Sequence, residues 1–73
     1  MNVFKEIVQL QSKYQSLIKN KKLTKKAMCE LCIPFRDKYN LTDLEVLRIA
    51  RKEMDLSEMV QLFLGEMEEK QND

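Results

Sequence analysis

Apolar residues recur along this chain at spacings of three and four positions, which is the period of an amphipathic α-helix. The clearest case lies in residues 2–19, where the spacings are 4, 3, 4 and 3. The stripe consists of Val3, Ile7, Leu10, Tyr14 and Leu17. Lysine, glutamate, glutamine and serine occupy the opposite side. The pattern predicts a first helix with one buried face.

A second helical stripe follows a short polar loop at residues 20–22. Thr24 is a suitable N-cap, and the apolar period continues to Tyr39. Pro34 lies inside this stripe, and a proline in a helix interior removes a hydrogen bond at a cost of about 3 kcal/mol. The segment is therefore either one kinked helix or two short helices. We favour a break near Ile33–Pro34, with Pro34 opening a short second piece.

Two capping boxes predict the later helices. Residues 42–45 and 55–58 each pair an N-cap side chain, Thr or Asp, with a glutamate three positions later. The first box predicts a broadly apolar helix that runs to about Met54. The second predicts a last helix that runs to about Glu69. The predicted apolar stripe of this helix consists of Leu56, Met59, Val60, Phe63 and Met67.

The composition agrees with an all-helical chain. The 73 residues include one Gly and one Pro, so little turn chemistry is available for β-sheets, and 44% of the residues are apolar. We predict an all-α fold, a compact three- or four-helix bundle with one helical segment interrupted near Pro34. Residues 1–73 form a single domain, with a tail that frays at about residues 70–73.

The chain carries no signal for a membrane or for export. Its longest apolar runs fall far short of the ~18 residues that a membrane helix needs, and residues 1–5 lack the layout of a signal peptide. We expect no membrane partner and a cytoplasmic location, where both cysteines are reduced. The lysine and asparagine usage resembles that of small proteins of low-GC bacteria and their phages.

The Cys29–Cys32 pair is a C-x-x-C motif. Zinc needs about four ligands, but the chain has no His and no third Cys, so a zinc site would have to be shared across a dimer. Redox C-x-x-C pairs usually follow a strand and open a helix, whereas this pair lies within a predicted helix. We expect the two thiols to pack in the core, with an intersubunit metal and a redox pair as alternatives.

The sequence lacks the residues and motifs that enzymes commonly use for catalysis. No histidine is present to activate the serines at positions 12, 16 and 57, and no glycine-rich phosphate loop occurs. We therefore predict that the chain is not an enzyme and uses no metal, no cofactor and no small-molecule substrate.

Charge is divided unevenly along the chain. Residues 1–40 hold nine Lys or Arg and three Asp or Glu, whereas residues 41–73 hold four and nine. Five lysines fall within residues 19–26, on a loop that leads into a helix. The predicted basic patch comprises Lys19, Lys21, Lys22, Lys25, Lys26, Arg48, Arg51 and Lys52. It can contact phosphate, an acidic protein surface, or only water.

The last helix is more apolar than one buried face requires, and adaptable methionine-rich faces often bind partners. The predicted interaction residues are Met59, Leu62, Leu64 and Met67. We expect a small non-enzymatic protein-interaction or regulatory module that binds a protein partner or forms a homodimer. The alternative is a DNA-binding regulator of helix-turn-helix type, in which the helix after Thr42 enters the groove and the basic N-terminal half contacts phosphate.

Overall fold

The computed structural model describes residues 3–64, and in this range the chain forms four α-helices and no strand. They are α1 (Val3–Lys19), α2 (Lys25–Lys38), α3 (Asp43–Ala50) and α4 (Leu56–Leu62). α1, α2 and α3 pack against one another in all three pairings. α4 joins the same core through its partly buried side chains and the phenylalanine that follows it. The predicted all-α bundle is confirmed.

The core is built from the apolar faces that the spacing predicts. In α1, four of the five stripe residues are buried and Leu17 is partly exposed. Ile49 and Phe63 are the largest side chains that are fully buried. Phe63 packs edge-on against Tyr39, with ring centroids 5.4 Å apart, and Phe35 lies 4.9 Å from Tyr39. This aromatic cluster joins α2 to the end of α4.

The predicted break at Pro34 is wrong, because α2 is one continuous helix with Pro34 inside it. Pro34 leaves the carbonyl of Glu30 without its helical donor, but both residues are exposed, so water can reach that carbonyl. Cys32 and Phe35, on either side of the proline, are both buried. Burial of these two side chains holds the helix together through the proline.

α3 ends at Ala50, four residues before the predicted end at Met54. Lys52 takes a left-handed conformation with φ of 60°, and the amide of Glu53 donates to the carbonyl of Arg48 at 2.8 Å. This is the Schellman type of helix ending. Met54 is nevertheless buried, because the chain turns back over the core instead of continuing as a helix.

The same ending closes α1 and α2. Lys21 and Asn40 both have φ of 55°, and in each case the next amide donates to a carbonyl five residues earlier, at 2.8 Å and 2.9 Å. Glycine is the usual residue in this position because it has no Cβ to clash in the left-handed region. This chain uses two lysines and an asparagine instead.

Side-chain caps begin three helices. The hydroxyl of Thr24 accepts from the amide of Ala27, as predicted for α2. The capping box at residues 42–45 is complete in both directions. At α4, Asp55 accepts from the amide of Glu58, but the carboxylate of Glu58 binds elsewhere, so the second predicted box is only half formed. The predicted extension to Glu69 and the fraying tail lie outside the described residues.

Candidate interaction surfaces

α4 has apolar residues on two sides, and only one side packs on the bundle. Met59 and Leu62 are partly buried against the core. Leu56, Val60 and Leu64 are 65%, 37% and 46% exposed. Leu56 and Val60 lie one turn apart on α4, and Leu64 follows two residues after the helix ends at Leu62; we call these three residues the α4 stripe.

The predicted interaction residues therefore do not form one surface. Met59 and Leu62 contribute to packing, Leu64 belongs to the exposed stripe, and Met67 lies outside the described residues. Leu56 and Val60 are exposed, although the helical spacing assigns them to the core side with Met59. The available sequence signal was the excess of apolar residues in this helix, which shows that a second face exists without saying which residues form it.

Three acidic residues lie near the start of α4. Glu53, Asp55 and Glu58 are all exposed. The carboxylate of Asp55 caps α4, and that of Glu58 binds the guanidinium of Arg48 through two hydrogen bonds of 2.8 Å and 3.0 Å. Glu58, two positions from both Leu56 and Val60, lies on the opposite side of α4 from the stripe.

The two arginines of the predicted basic patch are held within the fold. Besides Glu58, Arg48 donates to the carbonyl of Glu53 at 3.3 Å. The hydrogen bond with Glu58 raises the pKa of Arg48, and the hydrogen bond with Tyr14 raises the pKa of Arg51. The Nε of Arg51 donates to the Tyr14 hydroxyl at 3.0 Å, which ties the end of α3 to α1.

The five lysines of residues 19–26, which we call the lysine loop, are all exposed. They are Lys19, Lys21, Lys22, Lys25 and Lys26, and within residues 3–64 none of their side chains has an ion pair or hydrogen-bond partner. Two of them occupy the first turn of α2, where the helix dipole disfavours positive charge. Lys52 is also exposed, at the end of α3.

The lysine loop and the α4 end lie at opposite ends of α1. Phe63, after α4, packs on Tyr39, whose hydroxyl donates to Glu6 near the start of α1. The lysine loop begins at Lys19, thirteen residues further along the same helix. At 1.5 Å per residue, this is a separation of about 20 Å.

A groove of about 240 Å³ runs between α2 and α3. Its apolar lining consists of Met28, Cys29, Cys32, Ile33, Val46 and Leu47. Lys25, Arg36 and Asp43 also line this α2–α3 groove, and Arg36 binds Asp43 at 2.6 Å.

The two cysteines differ in their surroundings. Cys32 is buried, as expected for a core thiol, but Cys29 is exposed, so the prediction that both pack in the core is wrong for Cys29. Cys29 is exposed although it lines the α2–α3 groove beside Cys32. Burial, and secondarily the neighbouring Cys29, raises the pKa of the Cys32 thiol. Among the described residues, no group of three or more His, Cys, Asp or Glu could hold a metal ion.

None of the helices found in residues 3–64 is both long enough and apolar enough to cross a bilayer. No protein-family model, curated protein or solved structure matches the chain. The α4 stripe, the lysine loop and the α2–α3 groove are the surface features from which a function can be proposed.

Proposed function

We propose that the chain is a non-enzymatic protein-interaction module of the cytoplasm that docks a helical segment of a partner protein on the α4 stripe. The observation that carries this proposal is the row of exposed apolar residues Leu56, Val60 and Leu64. Met59, Leu62 and Phe63 already attach α4 to the bundle, so the stripe is not needed to hold the helix in place.

The spacing of the stripe suits recognition of a helix. Single exposed apolar residues are common on protein surfaces and need no explanation. Apolar anchors one turn apart are the arrangement by which helices bind partners face to face. Fully burying a Leu or Val side chain contributes about 1.5–3 kcal/mol, and these three are already partly buried, so we expect a weak, reversible contact.

Charge indicates the chemistry of the partner. Glu53 and Asp55 precede the stripe in the sequence, and no lysine or arginine lies on α4 within its described length. A second copy docked through the same stripe would bring acidic groups together. The surface instead fits an amphipathic helix that carries Leu, Ile or Met on one face and Lys or Arg beside it.

A peptide-display selection tests the proposal. A library of 16-residue helical peptides is selected on the full chain, and the enriched peptides are titrated against Leu56→Ser/Val60→Ser. The matched control is Val8→Ser, which removes an exposed apolar residue from α1. We expect enriched peptides with basic residues beside an apolar face, at least about tenfold weaker binding to the double variant, and unchanged binding to the control.

Two outcomes would contradict this proposal. One is a set of enriched peptides that bind the double variant as well as they bind the unmodified chain. The other is a dimer in sedimentation analysis that the same double variant converts to a monomer, because the stripe would then be occupied by a second copy.

We propose nucleic-acid binding as the second candidate, supported by the lysine loop. Five exposed lysines whose side chains have no partner within residues 3–64, two of them at the positive end of α2, are an arrangement that phosphate groups would stabilise. Since α2 runs unbroken to Lys38, only residues 39–42 connect it to α3, which is a length found in helix-turn-helix motifs.

The acidic first turn of α3 disfavours insertion of this helix into a DNA groove, where it would contact the bases. It carries Asp43 and Glu45, which phosphates repel, and the two arginines further along are already bonded within the fold. Any nucleic-acid binding would therefore rest on the lysine loop and would be largely independent of sequence.

Salt dependence separates this candidate from the first. Five phosphate contacts predict a slope of about −4.5 in log affinity against log salt, or roughly a 500-fold loss between 50 and 200 mM. Fluorescence anisotropy with a mixed-sequence duplex measures it. Lys21→Ala/Lys22→Ala should reduce the slope to about −2.7, whereas the control Lys5→Ala, on the exposed side of α1, should not change it. Binding that ignores salt would exclude this candidate.

A further inference from the structure

Three sulfur atoms line the α2–α3 groove. Cys29 and Cys32 are three residues apart on α2, and Met28 is four residues before Cys32. Positions three and four apart on a helix are neighbours, with Cβ atoms about 5–6 Å apart. Two metal–sulfur bonds of about 2.3 Å each span roughly 4.6 Å, so one ion can bridge two such side chains.

We propose that the α2–α3 groove binds one Cu(I) ion through the sulfurs of Cys29 and Cys32, with the thioether of Met28 as a third ligand. Cys29 is exposed and would bind the ion as it enters from solvent. Cys32 is buried and Met28 is half-buried, and both would bind the ion inside the groove.

The three sulfur ligands favour Cu(I) over other metal ions. Zinc requires about four ligands, usually thiolate and imidazole, and the chain has no histidine. The carboxylate of Asp43 lines the groove, but it is bound to Arg36 at 2.6 Å. Thiolate and thioether are soft ligands, which favour Cu(I) over the hard divalent cations.

The surroundings suit the charge of the complex. On binding, each thiol loses its proton to solvent and each thiolate donates an electron pair to the ion, so two thiols and Cu(I) give a bis-thiolate complex of charge −1 and two released protons. Lys25, which has no partner in the described part of the chain, lines the same groove and can offset that charge. Val46 and Leu47 form an apolar wall that limits access of water.

An anaerobic titration of the full chain with Cu(I), in competition with a chromophoric Cu(I) chelator, tests the proposal. We expect one ion per chain, confirmed by native mass spectrometry. Cys29→Ser should lose more than about 100-fold in affinity, since even residues that only support a ligand contribute 10–100-fold. Met28→Leu should lose affinity to a smaller extent, and the control Met59→Leu, a methionine outside the groove, should lose none.

The variants are chosen so that a loss of Cu(I) affinity cannot be caused by unfolding of the chain. Cys29 is exposed, so its replacement by serine should leave the helical circular dichroism unchanged. The proposal is overturned if Cys29→Ser keeps its Cu(I) affinity, if equimolar Zn(II) displaces the Cu(I), or if the ion is held only between two chains.

Discussion

Replacing Lys52 by glycine should stabilise the protein. Lys52 has φ of 60°, a region that costs a residue with a Cβ about 1–2 kcal/mol and costs glycine almost nothing. Glycine also makes the unfolded chain more flexible, which lowers the free energy of unfolding by about 0.4–1 kcal/mol. The expected net gain in the free energy of unfolding is about 0.5–1 kcal/mol.

The same reasoning ranks the three left-handed positions. Lys21→Gly should gain about as much as Lys52→Gly, because its φ of 55° is similar. Asn40→Gly should gain less, since asparagine tolerates this region better than lysine does. Lys21 and Lys52 end different helices and share no partner, so their effects should add to about 1–2 kcal/mol.

Urea unfolding followed by circular dichroism measures these differences, and thermal unfolding should show a shift of about 4–8 °C per kcal/mol. Lys52→Ala is the matched control, because it removes the same charge but keeps a Cβ. Lys13→Gly, in the middle of α1, should instead destabilise the protein by about 1 kcal/mol. Equal stability of Lys52→Gly and Lys52→Ala would refute the argument from backbone conformation.

Three further predictions concern the core, the proline and the thiols. Phe63→Ala should cost about 3–5 kcal/mol in urea unfolding, because Phe63 is 1% exposed and joins α4 to the aromatic cluster; a cost below 1 kcal/mol would mean that α4 is not anchored there. Pro34→Ala should raise the free energy of unfolding by about 1–3 kcal/mol, since it restores a helical hydrogen bond; a loss of stability would contradict the account of α2. Cys29 should react with a thiol reagent at neutral pH well before Cys32, whose thiolate is disfavoured by its raised pKa; mass-spectrometric mapping of the first labelled site checks this, and equal rates would count against it.

The sequence predicts the features that depend on local signals. The spacing in α1 identifies its buried face because the stripe is long and regular. Thr24 and the box at residues 42–45 identify two helix starts, because capping hydrogen bonds join residues only three apart. None of these signals requires knowledge of the neighbouring helices.

The errors arise where distant contacts or unusual backbone angles decide the outcome. The rule against proline in a helix is outweighed at Pro34 by the burial of Cys32 and Phe35 against other helices. The end of α3 has no glycine to mark it, because Lys52 takes the left-handed position. For α4, seven residues are too few for periodicity to distinguish the packed side from the exposed stripe.

The positions of the two candidate surfaces make the proposed functions separable. The aromatic contacts of Phe63 place the end of α4 beside Tyr39 and the start of α1, whereas the lysine loop begins at Lys19, about 20 Å away along α1. That distance exceeds the Debye length of about 8 Å at physiological salt, so charge changes at the lysine loop should be screened from the Phe63–Leu64 end of the stripe. Lys21→Ala/Lys22→Ala should therefore leave peptide binding intact. If the lysine substitutions abolish peptide binding without unfolding the chain, the partner contacts the lysine loop, and the assignment of docking to the α4 stripe fails.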